Sequence, residues 1–270
     1  MPKRVQSPSS INLYKQCPRR YFYQYILRYP SRPNIHCIRG NIVHDALEKF
    51  FDINPQNLNS EKIKVELATY LKNLFDAHWN KSNLKLQKLG LDQHQLQFYY
   101  DDSVNMLANW LNSFFKDLDK EMASSDFPAA FEKLAPTERE LKYKSDTHMV
   151  QGYIDAIHKD GDHITILDYK TSKKFNITPE YKLQLGIYAL LYQEKHNTLP
   201  HKVGIWFLKD RCKTVDVDEQ MVKDAKFEIE QVHFSTESKE ITDYRRKITP
   251  LCRYSTGQCD FYNVCKPHSM

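Results

Sequence analysis

Glycine is scarce, with seven in 270 residues. That argues against a glycine-rich sandwich and against a loop that cradles phosphate with backbone amides; neither G-x-G-x-x-G nor G-x-x-x-x-G-K occurs. Long apolar runs are missing too. The longest, from Leu185 to Tyr192, is far too short to cross a bilayer. The opening Met1-Pro2-Lys3-Arg4-Val5-Gln6-Ser7 has no apolar segment behind it to act as a secretory signal. A soluble intracellular protein, cytoplasmic or nucleoid-associated and without a membrane partner, is expected. Neither sign of charge dominates: 39 Lys and Arg against 34 Asp and Glu give +5. That permits a polyanionic partner without demanding one. No internal repeat or low-complexity segment is found.

What is present is aromatic and patterned. There are 17 Tyr and 14 Phe, and the length suffices for one large domain or one domain carrying an insertion. The organising stretch runs from Gly152 to Lys170. Two isoleucine-rich runs, Gly152-Tyr153-Ile154-Asp155-Ala156-Ile157 and Ile164-Thr165-Ile166-Leu167-Asp168-Tyr169-Lys170, flank Lys159-Asp160-Gly161-Asp162. Asp-Gly between apolar runs signals a β-hairpin. A loop centred there pairs residue i with 321 minus i, placing Asp155 opposite Ile166 and diagonal to Asp168. Side chains two apart share a face, so Asp155, Asp168 and Lys170 are expected to point the same way. Two acids and a lysine on an apolar hairpin are costly to bury unless they serve something. A metal site explains them; acid–lysine pairing on a half-exposed hairpin is the bland alternative.

Around the hairpin the pattern is mostly helical. Ser7-Pro8-Ser9-Ser10 is a capped helix start leading to Cys17-Pro18. Arg19 and Arg20 then stand beside Tyr21-Phe22-Tyr23-Gln24-Tyr25. Such a stripe can grip a nucleic-acid strand, although most of its rings read as core. Ile42, Val43, Ala46, Leu47, Phe50 and Phe51 form one helical face, with His44 beside it near the helix start. From about 54 to 125 the pattern is helical with no strand candidate, a helical insertion that covers or flanks a site. Thr137 to Lys144 alternates as a strand, and Glu138 or Glu140 is a further carboxylate for the site or simply part of a solvated edge. Lys173 and Lys174 make a small basic patch. Thr178-Pro179-Glu180 opens a helix with Tyr181, Gln184, Tyr188 and Tyr192 on one face. Val203 to Leu208 and Thr214 to Val217 read as a second hairpin, followed by a helix from about Glu219 to Phe234.

Six cysteines in an intracellular chain are unlikely disulfides. Three of them, Cys252, Cys259 and Cys265, fall within fourteen residues and point to metal–thiolate chemistry. Four ligands are usual, and Cys17 has the best context for the fourth; the spacing alone leaves iron and zinc both open.

Together these segments resemble a stand-alone PD-(D/E)XK nuclease of the RecB type, close to CRISPR-associated and AddB-like exonucleases with a four-cysteine iron–sulfur cluster. Ser9 to Pro18 resembles the N-terminal cluster motif, Gly40 to His44 the histidine motif, and Gly152-Tyr153-Ile154-Asp155 the first acid. Asp168-Tyr169-Lys170 resembles D-X-K, Gln184-Leu185 with Tyr188 the closing helix motif, and Cys252, Cys259 and Cys265 the C-terminal triplet. Two departures are visible: no proline precedes Asp155, and six residues separate Cys252 from Cys259 where the family usually has two. The resemblance implies a restriction-endonuclease-like α/β core, a mixed sheet flanked by helices, in a single domain over 1–270. It further implies Mg²⁺ or Mn²⁺ held by His44, Asp155, Asp168 and the Tyr169 carbonyl. Lys170 would orient water or stabilise the phosphate, Gln184 would position Lys170 or the water, and Tyr188 would support the DNA backbone. Phosphate contacts fall to Arg19, Arg20, Lys173 and Lys174. A structural [4Fe-4S] cluster, with zinc as the alternative, would sit on Cys17, Cys252, Cys259 and Cys265. The expected activity is exonuclease digestion of single-stranded DNA in recombination, repair or CRISPR adaptation, with a helicase or similar partner. Two non-catalytic readings stand beside it, an inactive cluster-bearing DNA-binding or scaffold subunit and a zinc-stapled adaptor. Intact Asp155, Asp168, Lys170 and His44 count against the first, and colour separates the second, since an iron–sulfur protein is brown and a zinc protein colourless.

Overall fold

A computed structural model describes residues 4–58, 62–173, 175–254 and 257–266. Helix α1 (Pro8–Gln16) is capped by Ser7, whose hydroxyl accepts from the Ser10 amide, and is followed by the short α2 (Pro18–Tyr21). Helix α3 (Ile35–Phe50) begins earlier than the apolar stripe suggests, because the Asn34 side chain caps it at the Cys37 amide. His44 therefore lies mid-helix. Helices α4 (Ile63–Lys81), α5 (Asn83–Gln87), α6 (Gln93–Glu121) and α7 (Phe127–Leu134) complete the helical half.

The sheet follows: β1 (Glu138–Ser145), β2 (Val150–Asp160), β3 (His163–Lys170), then α8 (Pro179–His196), β4 (Lys202–Phe207), β5 (Cys212–Asp216) and α9 (Glu219–Ser235). Its order is β1-β2-β3-β4-β5. Only β3 and β4 run parallel, α8 making the crossover, so the sheet is mixed as expected. The central hairpin forms, but in a register two residues away from the expected one. Ile157 pairs with Ile166 and Asp160 with His163, so the pairs sum to 323 and the two-residue turn is Gly161-Asp162. Gly161 takes φ 58°, the positive value a tight hairpin wants and that a side chain resists. A slip of two leaves every residue on its face, whereas a slip of one would have inverted the sheet.

Two apolar layers sandwich the sheet. On one side α3, α4, α6 and α7 supply Val43, Leu47, Phe50, Leu67, Phe75, Trp110, Leu111 and Phe131 against Ala156, Leu167, Tyr169 and Trp206. The helices between 63 and 121 are thus part of the core rather than a detached cover. On the other side α8 and α9 pack Leu185, Ile187, Leu190, Val222 and Ile229 on Ile154, Ile157, Ile166, Val203 and Ile205. In β2, Ile154 and Ile157 are three apart yet face the same layer, while Ala156 faces the opposite one. Strict alternation breaks between them, at Asp155. A third cluster joins Tyr21, Phe22 and Tyr23 to Tyr244 and Phe261 near the end of the chain.

Candidate active site

The break in β2 faces a second irregularity in β1. Arg139 pairs with Ala156 and Leu141 with Ile154, which puts Glu140 across from Asp155. Glu140 has φ 47°, a left-handed conformation that non-glycine residues rarely hold in a strand. His44 reaches the same spot from α3, its Nδ1 lying 3.3 Å from Asp155 and 3.4 Å from Glu140. One ligand atom from each of His44, Glu140 and Asp155 falls within 4.8 Å of the others, the spacing a single cation requires. Asp155 is buried, and its Oδ2 accepts the Tyr169 amide at 2.6 Å. The next carbonyl along, that of Lys170, is taken by Leu208 on the β4 side. Successive carbonyls of a strand point to opposite edges, so the Tyr169 carbonyl is directed to the edge occupied by Asp155.

Asp168 stands beside this group rather than in it. Its Oδ1 accepts from Gln184 Nε2 at 2.7 Å and from the Tyr188 hydroxyl at 3.4 Å, and Gln184 also donates to that hydroxyl at 2.8 Å. Lys170 Nζ lies 2.5 Å from Asp168 Oδ2. That oxygen is buried, and the Lys170 ammonium beside it is its counter-charge. Gln184 and Tyr188, one turn apart on α8, converge on one carboxylate, that of Asp168. Gly152 makes room for it. A Cβ there would come within 2.9 Å of the Tyr188 ring.

Electrostatics follow from crowding acids in a buried place. Burial disfavours charge on His44, but Asp155 and, with it, Glu140 and Asp168 outweigh that and raise its pKa to about 10. Burial pushes Asp155 up to about 6, against the pull of His44 and with the push of Asp168. Burial likewise opposes charge on Lys170, yet Asp168 and then Asp155 lift it above the ordinary lysine range. The His44 imidazolium and the Lys170 ammonium offset part of the charge of the three carboxylates. The donor set of imidazole, carboxylates and a carbonyl suits Mg²⁺ or Mn²⁺.

The structure treats the remaining expected residues differently. Arg19 donates to the Tyr244 carbonyl at 2.7 Å, and Arg20 lies 3.7 Å from Asp260. Both contact the C-terminal segment. Lys173 is exposed just beyond β3, near His36; Lys174 lies outside the described residues. Cys17, Cys252, Cys259 and Cys265 line one small cavity with Arg20, Tyr23 and Phe261, away from the His44 group. A short hairpin of β6 (Arg253–Tyr254) and β7 (Gly257–Gln258) takes up the long spacing, and the Cys259 amide donates to the Cys252 carbonyl at 3.0 Å. Glu140 is the residue the sequence undervalued. The alternating segment Thr137 to Lys144 was a visible signal, but nothing in it says which glutamate meets Asp155.

A model of the PD-(D/E)XK nuclease superfamily matches residues 6–266. The chain belongs to that superfamily. The five-stranded mixed sheet with helices on both faces is its restriction-endonuclease-like core. No curated protein sequence matches the chain. Among solved structures it is similar to a protein from Eubacterium rectale described as a candidate exonuclease. The TM-score is 0.54 at 8% identity, over 99% of this chain and 89% of the other. At that identity the likeness speaks for the fold. Among the described residues, no helix of this nuclease is long and apolar enough to cross a membrane.

Proposed function

We propose that this nuclease is a Mg²⁺- or Mn²⁺-dependent deoxyribonuclease that digests single-stranded DNA from its ends. The observation that carries the reading is the convergence of His44, Glu140 and Asp155 within 4.8 Å, beside the Lys170–Asp168 pair. His44, Glu140, Asp155 and the Tyr169 carbonyl would hold the cation, with Asp168 Oδ2 as a further donor. When bound, the cation supplies a Lewis acid for the scissile phosphate and an acidified water. Lys170, charged and close to Asp168, would orient the attacking water or offset charge on the phosphate in the transition state. Gln184 and Tyr188 hold Asp168 in place, so they are positioning residues. Lys173 and its neighbour Lys174 are the proposed contacts to the departing backbone.

Cys17, Cys252, Cys259 and Cys265 border one cavity and would hold a structural [4Fe-4S] cluster, with zinc as the alternative. The place of such an enzyme is inside the cell in recombination, repair or CRISPR adaptation, with a helicase or similar motor supplying unpaired ends.

The test is digestion of end-labelled single-stranded DNA with Mn²⁺, Mg²⁺ or EDTA. Metal-dependent shortening that drops at least about 100-fold in Asp155→Asn and Lys170→Ala is expected. Digestion that persists equally in either variant would sink the assignment.

A further inference from the structure

A cavity of about 430 Å³ opens directly onto His44 and Glu140. Tyr153 of β2, Asn41 and its neighbours on α3, and Ser82 and Lys85 at the corner between α4 and α5 line it. The size is that of a site for one small organic group. Tyr153 is 55% exposed although it lies two residues from buried Asp155, so the fold does not need this ring for its core. Its cross-strand neighbour is Lys142. Of the three acids that line the cavity, Glu140 belongs to the His44 group, Asp45 lies 3.2 Å from His78, and Glu48 lies 3.3 Å from Lys49. An exposed aromatic ring and a lysine side chain thus line the same cavity as His44 and Glu140 of the cation group.

Resting on the deoxyribonuclease reading above, we infer that this cavity receives the unpaired base next to the scissile phosphate, with Tyr153 stacking on it and Lys85 holding the adjoining phosphate. Every base has a π-face, so stacking recognises an unpaired nucleotide without regard to sequence. Inside a duplex both faces of a base are covered by its neighbours, so Tyr153 favours an unpaired nucleotide. The ring therefore selects single-stranded DNA, and Lys85 contributes through charge alone.

The inference is tested by binding rather than cleavage. Full-length protein is titrated, with Ca²⁺ in place of Mn²⁺, into a dye-labelled single strand of about a dozen nucleotides. The titration is repeated with the same strand lacking the bases of its end nucleotides. The parent should bind the abasic strand about tenfold or more weakly. Tyr153→Ala should bind both strands equally weakly, and Tyr153→Phe should behave as the parent. Lys85→Ala should weaken both strands alike and reduce the salt dependence by about one ion. Equal base-removal penalties in the parent and Tyr153→Ala overturn the inference. So does a Tyr153→Phe protein as weak as Tyr153→Ala, or a parent that binds neither strand. Circular dichroism and melting of the variants, whose changes are at exposed positions, exclude misfolding as the cause. The nuclease reading falls separately: a parent that couples Tyr153 to the base but digests no DNA leaves this inference standing.

Discussion

Glu140 holds a left-handed backbone conformation where a strand residue would ordinarily be extended, and its carboxylate meets His44 because of it. For a residue with a Cβ that conformation costs about 1 kcal/mol, and glycine escapes most of the cost. Glu140→Ala and Glu140→Gly should both weaken Mn²⁺ binding by about tenfold or more, measured by titration calorimetry. They should differ in stability. The glycine variant should be about 1 kcal/mol more resistant to urea than the alanine variant. Equal urea midpoints would show that the backbone here is unstrained. Single residues explain the rest of the site as well: Gln184 satisfies Asp168, and Gly152 gives Tyr188 the space to help it.

At the level of elements, most of the fold was written in the sequence. The Thr178-Pro179-Glu180 entry to α8 and the hairpin of β4 and β5 all came from local chemistry, which is where caps and turns are decided. The central hairpin was legible in kind but not in register, since Asp160-Gly161 and Gly161-Asp162 both satisfy the pattern and only the backbone chooses. The partnership of β1 with Asp155 was not legible, because it depends on a break in alternation that periodicity cannot foresee. The outer half of the central hairpin has its own consequence. His158 there lies among Trp206, Thr165 and the α6 and α7 side chains, and burial lowers its pKa to about 4. Unfolded, it titrates near 6.5. Its contribution is therefore complete above about pH 6.5. It fades as pH falls towards 4, because the unfolded chain takes up a proton that the folded one refuses. Between pH 7 and 4.5 the parent should lose up to about 3 kcal/mol relative to His158→Asn in urea unfolding. Parallel pH profiles would remove His158 from the account.

For the whole molecule, the decisive contacts join the two ends of the chain. Tyr21 stacks on Tyr244, Arg19 donates to the Tyr244 carbonyl, and Lys247 donates to the Lys15 carbonyl at 2.7 Å. Cys17 lines one cavity with the thiols of a segment more than two hundred residues further on. A bridge closing so long a loop removes much freedom from the unfolded chain, so losing it should cost a few kcal/mol. Protein purified without oxygen should be brown with about four irons per chain. Cys17→Ala should be colourless and melt several degrees lower, and a colourless parent containing zinc would reject the cluster.

The Asp155 carboxylate also has a duty unrelated to any cation. Backbone pairing of β2 with β3 stops at Ala156 and Leu167, and the Asp155 side chain supplies the next rung by accepting the Tyr169 amide. Truncating it would unzip the hairpin at the point where the Tyr169 carbonyl must be held still. An asparagine there keeps an oxygen for the rung while giving up the charge. It is therefore the substitution from which an intact but silent protein can be made, suitable for trapping DNA in a crystal.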